Sequence, residues 1–132
     1  MNIEITGTVI AGNRLGNSLG FPTANIALDT AAGVADGLAA GVYAATVDTP
    51  AGTFRAMANI GTRPTVGRSS ERLLEVHLFG FRGDLYGLAI HVALHEFIRP
   101  ETRFCSIAAL KQAIENDKTT ILDYFDRYGI QS

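Results

Sequence analysis

The chain has 132 residues, 11 Lys and Arg against 13 Asp and Glu, a formal net charge of −2 and a pI near 5.8. That length holds one domain, residues 1–132, around a single core, and the acidic balance argues against a protein that lives on nucleic acid, whose phosphates call for a basic face. The single cysteine, Cys105, excludes an intramolecular disulfide and fits a reducing cytoplasm, and no segment approaches the roughly 20 apolar residues of a membrane span or forms a signal peptide. Cys105 has no Cys or His neighbour at zinc spacing and reads as a small buried packing residue.

Asn2 to Ala11 alternates with apolar residues at Ile3, Ile5 and Val9 and predicts the first strand. The loop after it carries Gly12, Gly16 and Gly20 and ends in Phe21-Pro22-Thr23-Ala24-Asn25. Glycines at this density let bare backbone N–H groups face an anion. Thr23 and Asn25, two apart on an extended segment, put a hydroxyl and an amide on one side. Together these are the elements of a site for a nucleotide and its metal. No Gly-Lys-Ser or Gly-Lys-Thr follows, so this is not a Walker A loop, and Pro22 blocks the helix that a dinucleotide fingerprint must open. Any nucleotide is therefore held by a β scaffold. The plainer alternative is a glycine-rich hairpin loop in which Thr23 and Asn25 are ordinary turn and strand-start residues.

Further strands are predicted over Ala24 to Leu28, Gly41 to Asp48 and Phe54 to Ile60, the last two joined by the turn Pro50-Ala51-Gly52. Leu73 to Phe79 and Leu88 to Ile98 follow, with inner faces Leu74, Val76, Leu78 and Ile90, Val92, Leu94. On this pattern Glu75 and His77 face outward, as do His91 and His95. Two longer connections, Asp29 to Ala40 and Gly61 to Ser70, read as surface loops. From Ser106, a natural N-cap, the period becomes helical through Ile107, Leu110, Ile114, Ile121, Phe125 and Tyr128, giving one long helix or two broken near Asp117, with Gly129 as the stop. Six short strands and one terminal helix predict a mostly β fold, an antiparallel barrel that is closed or nearly closed, since closure removes exposed edges.

Several blocks in order resemble the riboflavin kinase family. They are Gly7-x-Val9-x-x-Gly12, Gly16-x-x-Leu19-Gly20-Phe21-Pro22-Thr23-Ala24-Asn25, Gly41-Val42-Tyr43-Ala44, Asn59-Ile60-Gly61-x-Arg63-Pro64-Thr65, Leu74-Glu75-Val76-His77-Leu78, Asp84-Leu85-Tyr86-Gly87 and Phe97-Ile98-Arg99-Pro100-Glu101-x-Arg103-Phe104-x-Ser106. The resemblance implies a six-stranded Greek-key barrel with a C-terminal helix that moves the γ-phosphoryl of ATP to the 5′-hydroxyl of riboflavin, giving FMN. It implies Thr23 and Asn25 as ligands of Mg²⁺, Glu75 as the base, and a phosphate cradle over Gly12, Asn13, Arg14, Gly16, Gly20 and Pro22. Arg99, Glu101 and Phe104 match the flavin side, where Arg99 either reaches the substrate or forms a loop-to-helix salt bridge. Phe97 and Tyr86 are aromatic neighbours whose plainer role is core packing.

In bacteria this module usually follows an FMN adenylyltransferase module, so an adenylyltransferase domain or protein is an expected partner. The sequence has no His-x-Gly-His motif for that second reaction, and both a free-standing kinase and an excised module fit it. Two departures stand out: Asn17 where many members carry Arg or Lys, and Gly80 where aspartate is frequent. The first leaves open a catalytically silent flavin- or nucleotide-binding module of the same fold.

Overall fold

The computed structural model describes residues 3–10, 23–28, 38–64, 70–81, 85–102 and 104–128. Six strands precede one helix: β1 (Ile3–Thr8), β2 (Thr23–Ala27), β3 (Gly41–Thr49), β4 (Gly52–Pro64), β5 (Ser70–Leu78), β6 (Ala89–Pro100) and α1 (Ile107–Tyr128). All pairings are antiparallel, in the order β1-β6-β3-β4-β5-β2. Strands β3, β4 and β5 form a meander and β6 returns beside β3, which is the Greek-key order. The outer strands β1 and β2 approach each other past the end of β1, where Ile10 N–H donates to the Asn25 carbonyl at 2.8 Å, so the barrel is nearly closed.

Alternation places Ile5, Ile26, Tyr43, Val47, Ile60, Leu74, Val76, Ile90, Val92 and Leu94 inside the barrel, each almost wholly buried. The inner faces expected for β5 and β6 are the observed ones. Outside, a second cluster joins Val42, Ala44 and Met57 of β3 and β4 to Ile114, Ile121 and Phe125 of α1. The helix therefore covers the outer face of the central strands and leaves that of β5 and β2 to other uses.

Ser106 caps α1, accepting at Oγ from Ala109 N–H at 3.0 Å. The helix runs through Asp117 without a break, because the Asp117 carboxylate occupies the buried stripe between Ile114 and Ile121 and is matched there by Arg99. The expected stop at Gly129 lies outside the described residues.

Three local expectations need correction. Of the loop expected over Gly61 to Ser70, residues 61–64 and Ser70 are strand, because β4 and β5 stay paired from Gly61↔Leu73 out to Pro64↔Ser70. Proline is tolerated at that last pair, where the ladder ends. Arg99, expected in a loop, lies within β6 and pairs in register with Val42. Cys105 is exposed rather than buried, because it sits in the bend before α1 and no described element packs over it.

Strand β6 also departs from simple alternation. Its register against β3 shifts between Val42 and Tyr43 and again between Ala44 and Ala45. Each shift adds one residue to β6 and reverses the facing of the residues beyond it. Phe97 is thereby turned to the barrel core, edge-on to Tyr43 at 5.2 Å, and Arg99 is returned to the outer face.

Candidate active site

The pairing registers put one rung of residues across the outer face: Asn25 on β2, Glu75 on β5, Asn59 on β4, Val42 on β3 and Arg99 on β6. Asn25 and Glu75, 50 positions apart in sequence, become direct cross-strand neighbours. Directly opposed side chains of an antiparallel pair stand about 4.5–5.5 Å apart at Cβ, so the two groups can act on one ligand.

These polar groups are withdrawn from water. Asn25 is 6% exposed and the Glu75 side chain 18%. The Oδ1 atoms of Asn25 and Asn59 are both buried, and neither has a hydrogen-bond partner among the described residues. A buried acceptor without a donor is costly and rare in folded proteins. Two of them flanking one carboxylate mark a surface shaped for something that supplies donors or positive charge.

His77, two residues along β5 on the same face, is 6% exposed, and burial pushes its pKa down to about 4. It is neutral at pH 7, so its Nε2 contact with Glu75 Oε1 at 3.8 Å is no ion pair there. In register His77 faces Thr23, the first residue of β2.

Past the helix-covered strands, Arg99 grips Asp117 through Nε to Oδ1 at 3.0 Å and Nη2 to Oδ2 at 2.7 Å. The salt bridge foreseen for Arg99 is thus present, from strand to helix. The Arg99 guanidinium also lies over the Phe104 ring at 5.6 Å from its centroid. Phe104 in turn lines an open cleft of about 320 Å³ with Cys105, Ser106, Ile107 and Leu110. Glu101 returns toward β4, where its Oε1 lies 2.6 Å from the place a Cβ on Gly61 would take. Gly61 is the next outward position after Asn59, so Glu101 borders the same rung.

The structure thus sets Asn25 and Glu75 side by side on the outer surface of the barrel, with Glu101 beside β4 at Gly61, whereas Arg99 and Phe104 lie beyond the helix-covered strands, four strands from Asn25. Gly12, Asn13, Arg14, Gly16, Gly20 and Pro22 lie outside the described residues. Sequence reasoning gave no role to Asn59 or Asp117. Their signals were an asparagine in a strand of alanines and isoleucine, and an acid on the apolar stripe of a helix. Both types are disfavoured at such places unless something pairs with them. Among the described residues no three His, Cys, Asp or Glu side chains cluster as metal ligands.

Comparison with known proteins agrees with this architecture. The Flavokinase family model, riboflavin kinase, matches residues 1–125. A bifunctional riboflavin kinase/FMN adenylyltransferase of Pseudomonas fluorescens is 42% identical over 114 residues, which is 86% of this chain and 35% of that protein. An RNA-binding riboflavin kinase of Bacillus subtilis, RibR, is 38% identical over 128 residues, 97% of this chain and 54% of that one. The chain therefore spans about a third and about half of the lengths of these two relatives. The crystal structure of riboflavin kinase from Trypanosoma brucei shares the fold, with a TM-score of 0.58 at 24% identity over 95% of this chain and 80% of that one.

Proposed function

The chain belongs to the riboflavin kinase family, and from that premise we propose that it transfers the γ-phosphoryl group of ATP to the 5′-hydroxyl of riboflavin, yielding FMN and ADP. The observation that carries this reading is the rung that seats Glu75 between Asn25 and Asn59, whose Oδ1 atoms are both buried without a hydrogen-bond partner among the described residues.

Phosphoryl transfer has a loose transition state, so a protein contributes chiefly by positioning and by neutralising charge. Glu75 is the group to orient the 5′-hydroxyl and take its proton as the bond from that oxygen to phosphorus forms. The bond from phosphorus to the β,γ-bridging oxygen breaks at the same time, and ADP leaves with its electron pair. A carboxylate largely withdrawn from water, beside a histidine that is neutral at pH 7, is suited to both tasks.

The orphaned Asn25 Oδ1 is a hard, neutral oxygen of the kind Mg²⁺ accepts, so the residues present fit that ion. Thr23 and Asn25 would hold it. When bound, Mg²⁺ would neutralise charge on the phosphates. Gly12, Asn13, Arg14, Gly16, Gly20 and Pro22 form the nucleotide cradle in this reading, and Arg99, Glu101 and Phe104 border the flavin. Arg99 serves by keeping α1 and the segment ahead of it in place, since its guanidinium is already engaged by Asp117. No helix of the described residues is long and apolar enough to cross a membrane, and a single exposed thiol suits a reducing cytoplasm. The bifunctional relatives make an adenylyltransferase domain the expected neighbour.

The test is direct. The purified 132-residue chain, given riboflavin, ATP and Mg²⁺, should yield FMN and no FAD on chromatography. Riboflavin binding without FMN would instead mark a silent flavin-binding module.

A further inference from the structure

Asn59 is the third polar member of the rung that holds Asn25 and Glu75, and phosphoryl transfer as described gives it no part. It stands at a border. On one side its rung neighbour is Val42, 3% exposed in the cluster beneath α1, and on the other it is Glu75. Along β4 the outward positions either side are Met57, buried by the helix, and Gly61, beside the Glu101 carboxylate. Asn59 thus stands between the helix-covered cluster and the polar part of the rung, and its Oδ1 is buried with no hydrogen-bond partner among the described residues.

A buried amide oxygen in that place needs a donor from a ligand. A shared metal ion is a poor candidate. Asn25 and Asn59 sit two strands apart, about 9–10 Å at the backbone, whereas the oxygens around one Mg²⁺ lie at most about 4 Å from one another. A chain that bears a hydroxyl on each successive carbon matches the row better, because its donors are spaced along a line. We propose that Asn59 Oδ1 accepts a hydrogen bond from a secondary hydroxyl of the flavin's polyol side chain. Asn59 then fixes which hydroxyl comes before Glu75 and selects for the polyol over flavins without it.

This rests on the phosphotransferase reading, and the two are separable by experiment. Riboflavin and three analogues, each lacking one secondary hydroxyl, are titrated into wild type and Asn59→Ala in the presence of Mg-ADP, with quenching of flavin fluorescence as the readout. Asn59→Ala should weaken riboflavin binding about tenfold and leave Mg-ADP binding unchanged, the scale of one buried hydrogen bond. One analogue should bind wild type about as weakly as the variant does and lose nothing further on substitution, the non-additivity of a direct contact.

If all analogues lose affinity by the same factor as riboflavin, or none does, the proposal is overturned. Loss confined to Mg-ADP overturns it too, placing Asn59 with the metal. Since Asn59 Oδ1 has no partner in the free protein among the described residues, Asn59→Ala should not lower the thermal midpoint without ligand. A drop would indicate a structural role and count against the proposal, and Asn59→Ser, which keeps an acceptor, should regain part of the riboflavin affinity. Failure of wild type to bind riboflavin at all would sink the phosphotransferase reading itself.

Discussion

A glutamate on the outer face of a strand is ordinarily a solvated charge, and Glu75 differs by its neighbours. Its side chain is 18% exposed, its cross-strand partners are two asparagines, and the histidine beside it is neutral. Glu75→Gln keeps size and shape but removes the proton acceptor. It should lower kcat by about 100-fold or more with riboflavin and Mg-ATP binding near wild type; a variant turning over at close to the normal rate would return Glu75 to the status of a surface residue. Asn25→Ala removes an amide oxygen that no described residue satisfies. It should weaken Mg-ATP binding while leaving metal-free ADP binding little changed, and depress kcat further than ground-state affinity. Calorimetry with and without Mg²⁺ checks this, and equal losses in both titrations would reduce Asn25 to a shaper of the turn.

Strands and helix meet at close approaches that depend on two glycines in different ways. Gly41 opens β3 with φ +147°, and a Cβ there would stand 2.4 Å from the Arg99 carbonyl oxygen and 2.8 Å from the Phe97 ring. Neither backbone nor a packed ring can yield. Gly41→Ala should therefore cost about 2 kcal/mol or more in urea unfolding, through both strain and collision. A Cβ on Gly61 meets only the tip of the Glu101 side chain, which can swing away. Gly61→Ala should change stability by no more than about 0.5 kcal/mol, yet raise the riboflavin KM by displacing Glu101 from the edge of the site. If both variants lose stability equally, the packing of Glu101 on β4 is tighter than one flexible carboxylate implies.

At the scale of the whole molecule, stability and site share a buried titratable group. Below pH 6.5 the unfolded chain protonates His77, while the folded protein leaves it neutral until about pH 4. Protons then favour the unfolded state, so the contribution is complete above pH 6.5 and is lost as pH falls toward about 4. Between pH 7.5 and pH 5 the wild type should lose about 2 kcal/mol of unfolding free energy through this group. His77→Gln should flatten that part of the profile in urea unfolding at the two pH values. An unchanged slope would show that other groups govern the acid limb.

Much of this protein was legible along the chain because period-2 alternation reports a half-buried strand wherever it occurs. The inner faces of β5 and β6, the outward placement of Glu75 and His77, the Ser106 cap and the six-strand barrel with its helix all came from local pattern. Local pattern is silent on register. That Asn25 and Asn59 flank Glu75, that Arg99 belongs to β6 and meets Asp117, and that β4 and β5 stay paired to Pro64 and Ser70 are decided by pairings between distant segments. The two register shifts in β6 are likewise a property of its pairing with β3. Alternation tells each strand which side faces the core, but only the assembled barrel, with one residue of slip reversing every face, decides which polar groups come to stand together.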